Sequence, residues 1–506
     1  MGVYKGRLCD RGDSVPLTHT SFASSPTVHR CGVKIICMLT ALFPFQMKSV
    51  DVSQAFLQSD NLSESDRRIV IPPLMALGWG DSRHEYQLKD FTPPSHGFLI
   101  IKPLCGTRDA PLRWFVRLRK AFIQVGLRQM KSDICMYSRV EAGEFQGAML
   151  IHVGDILYTG TREFITVVES AIKQFRIGGI GKLTQEKGSI FTGLEIQLNV
   201  TNRVALSRKQ YVSELPTMDI SQYMNRPQLA NVKDLQSTAR QGLGALIWVH
   251  QSRPDVGFLI TKIATDLMTA CADRQKAIRL AKLYNKTVRY LKMHASEIHY
   301  VPPPGNHGKN DHVDLRKYRV SCFTDAGFGA LHGDHSIESN VAIFGKVLFR
   351  DGSIQCHGFL IDHRCAKIQR VCLSPLSAEC HAAVTAGDYA LRYQIVLVEL
   401  LTQRYQIRQL CHPTDCPMLN HYENSPSNEK LQAENYSTSI KNLNHQFDGR
   451  TKRFCATGVF VVPAKQASYL LPRKHWKRMK IIWRLNRLNY SSRYYSRVVA
   501  VYSAAF

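Results

Sequence analysis

The sequence predicts a multidomain protein of mixed α+β and α/β character, and three observations carry that expectation. At 506 residues and 44% hydrophobic the chain can bury several cores, which suits about two to four domains. Up to about Asn199, short β-prone runs alternate with helical stretches, whereas from about Lys209 to Ser296 the apolar residues recur mainly at helical spacing. The stretch V-P-P-P-G-N-H-G-K-N, Val301 to Asn310, then breaks regular structure and reads as a linker before a further module.

Taken in order, the run from Ile35 to Phe45 is apolar but broken by Pro44. It is too short to span a bilayer, so it reads as a buried helix behind the strand that follows. No signal-peptide pattern precedes it. That strand lies in F-Q-M-K-S-V-D-V-S-Q-A-F, Phe45 to Phe56, and ends at Asp51. Pro111 to Val125 is a helix whose Trp114, Leu118 and Phe122 share one apolar face. Leu150 to Gly160, L-I-H-V-G-D-I-L-Y-T-G, places β-prone runs at Ala148 to His152 and Ile156 to Thr159 around a short turn at Val153 and Gly154. This is a hairpin pattern, with Asp155 just past the tip. An Asp at a strand end or a turn is ordinary by itself. Two of them converging would suit two-metal phosphoryl transfer, because hard cations take oxygen ligands and must hold both the attacking and the leaving oxygen.

In the helical region Leu243, Ile247, Ile260 and Ile263 take apolar positions. Lys276, Arg279, Lys282, Lys286, Arg289 and Lys292 recur three or four residues apart, as a solvated face or as a lining for a duplex. Overall, 66 Lys and Arg stand against 40 Asp and Glu, a net charge of +26 that suits a polyanionic partner. The 14 cysteines form no C-x-x-C pair, so neither a disulfide framework nor a structural zinc site is indicated and a reducing, intracellular compartment, cytoplasmic or nuclear, is expected.

Further blocks lie between and beyond the two acids: L-C-G-T-R-D-A-P-L-R-W-F from Leu104, G-L-R-Q-M-K-S-D-I-C-M-Y from Gly126, F-T-G-L-E-I from Phe191, L-S-R-K-Q-Y from Leu206, S-R-P-D from Ser252 and R-Y-L-K from Arg289. With Y-K-G-R-L-C-D-R-G-D, Tyr4 to Asp13, this ordered series resembles the reverse transcriptase of Ty1/copia-type LTR retrotransposons. F-T-D-A-G-F-G from Phe323, L-S-A-E-C-H-A-A from Leu376 and P-T-D-C from Pro413 extend the resemblance to the ribonuclease H of that family's Pol polyprotein. The resemblance covers roughly Tyr4 to Leu471.

It implies a right-hand polymerase with truncated fingers and a palm over residues 1–200, a helical thumb or connection over 201–300, a linker at 301–311, a ribonuclease H-like domain over 312–471 and a basic aromatic tail over 472–506. It implies Mg²⁺ or Mn²⁺, two ions per site, bound by Asp51, the Val52 carbonyl and Asp155 in the polymerase and by Asp325, Glu379 and Asp415 in the nuclease. Lys5, Arg7 and Arg108 would face the triphosphate, while Phe56 is either a steric gate under the sugar or a plain core aromatic. The implied partners are an RNA template, a DNA primer, deoxynucleotides and an RNA–DNA hybrid, with no membrane and with dimerisation left open.

Two departures qualify the activity. The family's hairpin reads aromatic-Val-Asp-Asp, and here His152, Val153, Gly154 and Asp155 lack the first acid. A ligand worth about 3–5 kcal/mol in the transition state would, by its absence, slow synthesis by about 10² to 10⁴-fold. Near the C-terminus Tyr469 stands in Q-A-S-Y-L-L-P-R where the family carries a fourth acid. From Arg473 to Arg497 there are nine Lys or Arg and no acid, either a single-strand binding segment or sequence running past the element's ordinary end. The expectation is therefore a catalytically impaired relic, beside a fully working enzyme and a non-catalytic nucleic-acid-binding protein derived from a retroelement.

Overall fold

The computed structural model describes residues 9, 25–43, 45–70, 97–183, 188–199, 203–221, 224, 232–269, 273–302, 315, 318–350, 353–403, 457–462 and 499–505. Lys5, Arg7, Asp415 and Tyr469 lie outside these residues, as does most of the 301–311 linker and of the 472–506 tail. The fold is mixed α/β, and the chain divides into two compact units, residues 1–202 with 400–403 and residues 203–399 with 404–506.

In the first unit, helix α1 (Cys31–Leu42) is apolar almost throughout and all twelve of its residues are buried. It is followed by β1 (Gln46–Val52), a small antiparallel pair of β2 (Arg68–Val70) and β3 (Phe98–Ile100), and α2 (Ala110–Gln124). Pro111 sits in the first turn of α2, where a missing N–H costs nothing. Next come β4 (Arg128–Gln129), β5 (Met136–Glu141), β6 (Glu144–His152), β7 (Asp155–Gly160), α3 (Arg162–Ile172) and β8 (Ile177–Lys182). The Thr161 hydroxyl caps α3 by accepting from the Phe164 N–H at 3.2 Å. The six longer-range strands form one antiparallel sheet in the order β4-β5-β6-β7-β1-β8.

Strand alternation gives this sheet two different faces. Val50, Val52, Tyr137, Met149, Ile151, Ile156 and Tyr158 face α2 and α3, where Trp114, Leu118 and Phe122 complete the core as their spacing predicts. The opposite face meets α1, whose Thr40 hydroxyl donates to Thr159 Oγ1 at 2.8 Å. The helix expected from Ile35 starts earlier, at Cys31, and packs on β6 and β7 rather than chiefly on β1. A hairpin of β9 (Ser189–Phe191) and β10 (Leu194–Leu198) closes the unit.

The second unit contains an antiparallel pair of β11 (Val204–Ser207) with β12 (Ile298–Tyr300) and helices α4 (Lys209–Glu214), α5 (Val232–His250), α6 (Gly257–Thr269) and α7 (Arg274–Met293). The helices share a core in which Ile260 and Ile263 are buried and Leu243 is half-buried. Ile247, expected to be apolar and inside, is 53% exposed instead, because it lies off the side of α5 that Leu246 and Val249 turn inward. Arg253 of the S-R-P-D block is buried against Asp255, two nitrogens donating at 2.9 and 2.7 Å, which fixes the α5–α6 turn.

A five-stranded antiparallel sheet follows, with β13 (Arg319–Leu331), β14 (His335–Arg350), β15 (Ser353–Lys367), β16 (Thr457–Val462) and β17 (Val499–Ala505) in the order β15-β14-β13-β17-β16. Helix α8 (Pro375–Thr402) covers one face, where Thr385 donates to Glu338 at 3.0 Å and Tyr393 to the buried Asp362. On the other face His363 meets the His250 carbonyl at 2.7 Å and Thr261 of α6 donates to the Cys365 carbonyl at 3.1 Å. Strand β17 lies within the stretch expected to be a basic aromatic tail, and it pairs with β13 from Arg319↔Ala505 to Thr324↔Ala500.

Candidate active site

The hairpin forms where the β-prone runs predict it, with His152 and Asp155 as the last pair of β6 and β7 and a two-residue turn at Val153 and Gly154. Val153 has φ +57°, a left-handed conformation that a β-branched residue rarely adopts. Two hydrogen bonds hold it there: the buried Trp114 donates from Nε1 to the Val153 carbonyl at 2.7 Å, and the Val52 N–H donates to the Gly154 carbonyl at 2.9 Å.

The second bond also ties the tip to the end of β1. There the register pairs Asp51 directly with Asp155, so the two carboxylates stand side by side on one face of the sheet. Burial, and after it the charge of Asp51, push the Asp155 carboxyl above its ordinary value, opposed by His152 across the hairpin. The ring of His152 in turn lies edge-on to Phe191 at 6.5 Å.

A Cβ placed on Gly154 would lie 3.6 Å from Asp51 Oδ1, 3.6 Å from the Ala55 methyl and 3.1 Å from the Val52 carbonyl oxygen. A side chain at this position would therefore grow directly among Asp51 and Val52. The donor atoms present, two carboxylates and a carbonyl, are hard oxygens of the kind that Mg²⁺ or Mn²⁺ accepts, and the position of the missing acid is where a further one would join them. Among the described residues no group of three or more His, Cys, Asp or Glu is arranged to hold a metal ion.

The backbone after Asp51 is held by contacts that the sequence reading missed. Gln54 takes φ +51°, and the turn that follows, Ala55 to Gln58, is tied to the start of β8. Gln58 Nε2 donates to the Ser53 and Arg176 carbonyls at 2.6 and 2.9 Å, and its Oε1 accepts from the Arg176 N–H at 2.7 Å. Phe56 is half-buried on the core beneath this turn. Glycine-rich β8 runs alongside; a Cβ at Gly178 would lie 3.7 Å from Asp51 Oδ2, in ordinary contact with the carboxylate. The repeated glycines of I-G-G-I-G-K were the signal available for this. Arg108 is half-buried in the loop before α2, which turns at Gly106 with φ +95°.

Of the second set of acids, Asp325 and Glu379 lie among the described residues, on β13 and α8. Asp325 pairs with Ser339, which pairs with Cys365, and so shares a sheet face with the residues that meet α6. Its neighbour Ala326 packs with Ala378 and Ala382 of α8, on the opposite face. Glu379 lies between those two alanines in sequence and is buried.

The chain's homologues are Pol polyproteins of Ty1/copia-type retrotransposons, the class to which its ordered motifs point. It is 22% identical over 344 residues to the retrovirus-related Pol polyprotein from transposon RE1 of Arabidopsis thaliana, covering 63% of this chain and 22% of that protein. With the corresponding polyprotein from transposon RE2 of the same plant it shares 23% identity over 303 residues, 57% of this chain and 19% of the relative. The chain thus spans about a fifth of the length of these relatives. No protein-family model matches. Among solved structures it is similar to a foamy viral protease-reverse transcriptase in complex with double-stranded DNA, at a TM-score of 0.37 and 11% identity over 77% of this chain and 52% of that one.

Proposed function

We propose that the chain is a retroelement-derived RNA-directed DNA polymerase with a ribonuclease H-like domain, impaired at both catalytic centres. Residues 1–200 serve as fingers and palm, 201–300 as thumb or connection and 312–471 as the nuclease-like domain. The observation that carries this reading is the pairing of Asp51 with Asp155 beside Gly154, whose missing side chain would project to within 3.6 Å of the Asp51 carboxylate.

Asp51, the Val52 carbonyl and Asp155 are the residues that would hold Mg²⁺ or Mn²⁺. When bound, such ions lower the cost of ionising a primer 3′-hydroxyl and offset charge on the α-phosphate it attacks. The protein's own part is positional. The β1–β7 register sets the spacing of the carboxylates, Trp114 and Val52 fix the turn, and the Gln58 contacts hold the Phe56 turn where a flat ring would sit beneath the sugar of a deoxynucleotide. Lys5, Arg7 and Arg108 supply cations to its triphosphate. The template is RNA, the primer DNA and the product a hybrid, all met inside the cell.

Primer extension on an RNA template with Mg²⁺ or Mn²⁺ is expected to be near background. Gly154→Asp is expected to raise it by about 10² to 10⁴-fold, the rate equivalent of one recovered ligand, and an added Asp51→Asn to abolish the gain. Robust extension by the unaltered chain would overturn the impairment. A non-catalytic nucleic-acid-binding role is the second reading, favoured by the acid-free basic face of α7.

A further inference from the structure

Strand β1 parts from β8 just after Val52 pairs with Ile177. A hydrogen-bonded antiparallel pair exchanges two main-chain bonds, but Ser53 and Arg176, next in the register, exchange one, from the Ser53 N–H to the Arg176 carbonyl at 3.0 Å. The other two groups of that pair are taken up by the side chain of Gln58. Its Oε1 accepts from the Arg176 N–H at 2.7 Å, and its Nε2 donates to the Ser53 carbonyl at 2.6 Å and to the Arg176 carbonyl at 2.9 Å. One side-chain amide thus stands between the two strands where they separate, closing the turn from Ser53 to Gln58 on itself and fastening it to β8.

The turn inside this clasp is a constrained one. Gln54 has φ +51°, a left-handed conformation uncommon in residues other than glycine, and such a conformation persists where its surroundings over-determine it. The Leu57 N–H donates to the Gln54 carbonyl at 3.0 Å and the Ser59 N–H to the Phe56 carbonyl at 3.1 Å. Phe56 sits in the middle of the turn, half-buried against the core. The acids are held by other means, Asp51 by its pairing with Asp155 and Val52 by its bond to the Gly154 carbonyl at 2.9 Å. Releasing Gln58 therefore loosens the Phe56 turn and leaves the carboxylates in register.

We propose that Gln58 is a positioning residue that sets the preference for deoxyribose over ribose, acting through the Phe56 turn and touching neither nucleotide nor cation. The proposal deepens the polymerase reading and rests on its placement of Phe56 beneath the nucleotide sugar. A ring on a fastened turn excludes a 2′-hydroxyl, whereas a ring on a released turn gives way to it.

The test reads nucleotide selection in two ways. With the full chain and with its Gly154→Asp form, a primer ending in a dideoxynucleotide is annealed to an RNA template, and the stabilisation of the complex by dGTP or by GTP opposite a template cytidine is titrated in Mg²⁺, where no bond can form. The Gly154→Asp protein then extends an ordinary primer with each nucleotide. Gln58→Leu removes the amide at similar size, Gln58→Glu sets an oxygen against two carbonyls, and circular dichroism checks that both fold. Each should lower the preference for dGTP over GTP by about 10 to 100-fold, through a gain in GTP binding and with kcat for dGTP nearly unchanged. In a Phe56→Ala protein the preference should already be lost, and Gln58→Leu should lower it no further, since a residue acting through another is not additive with it.

An unchanged preference in both Gln58 variants, or an additive loss with Phe56→Ala, would overturn the proposal. Parent proteins that bind dGTP and GTP equally would overturn it too and leave the polymerase reading standing. Nucleotide binding absent from every protein would remove both.

Discussion

Glycine at position 154 separates the geometry of the site from its chemistry. Asp155 keeps a raised pKa through burial and the adjacent Asp51 charge, with His152 opposing, so at neutral pH the fold bears a cost for ionising it. A carboxyl raised in this way contributes stability that is whole below its unfolded value, near 3.8, and is lost as pH rises through its folded value. Asp155→Asn is accordingly expected to raise the melting temperature near pH 7 in EDTA. The advantage should shrink as pH falls through the raised value and be gone below about pH 3.8. Thermal melts of the two proteins across this range decide it, and identical melting at pH 7 would show that neither burial nor the Asp51 charge disfavours the ionised Asp155.

At the scale of the element, the hairpin depends on a residue that appeared in the sequence only as part of an apolar face. Trp114 is fully buried and its indole N–H satisfies the Val153 carbonyl at the turn. Trp114→Phe keeps an aromatic ring but leaves the Val153 carbonyl without its donor, a loss of about 0.5 to 1.5 kcal/mol. Urea unfolding should register it, and in the Gly154→Asp background the variant should also lose part of the recovered extension, since the turn no longer holds position 154 against Asp51. The hairpin itself was legible because a two-residue turn between β-prone runs leaves little choice of register. The partnership of Asp51 with Asp155 was legible only as an expectation of convergence, since about a hundred residues separate them and pairing between β1 and β7 is a long-range choice. Less was readable at β13. Its pattern announces a strand, but which side Asp325 takes depends on pairing with β14, and a shift of one residue would reverse it. Strand β17 left no signal at all in the reading, because a short run of small and aliphatic residues ends a stretch that its charge had marked as tail.

For the molecule as a whole, the two units differ in how far each stands from a working centre. In the first, the strands, the turn and two carboxylates are in register and one side chain is missing. In the second, the register sets Asp325 on the strand face opposite Ala326, which packs with Ala378 and Ala382 of α8. A shortage of one ligand is repaired by one substitution, whereas one added acid does not turn a side chain to the other face of a strand. Tyr469→Asp, the counterpart of Gly154→Asp, is therefore expected to leave cleavage of a labelled RNA–DNA hybrid at background in Mg²⁺ and in Mn²⁺. Asp325→Asn should change nothing further. The Gly154→Asp, Tyr469→Asp protein should then extend a DNA primer on RNA and leave the template strand intact in the product, which a denaturing gel with label on each strand reads directly. Cleavage that appears with Tyr469→Asp and disappears with Asp325→Asn would mean that β13 pairs in the other register in solution, with Asp325 turned toward α8.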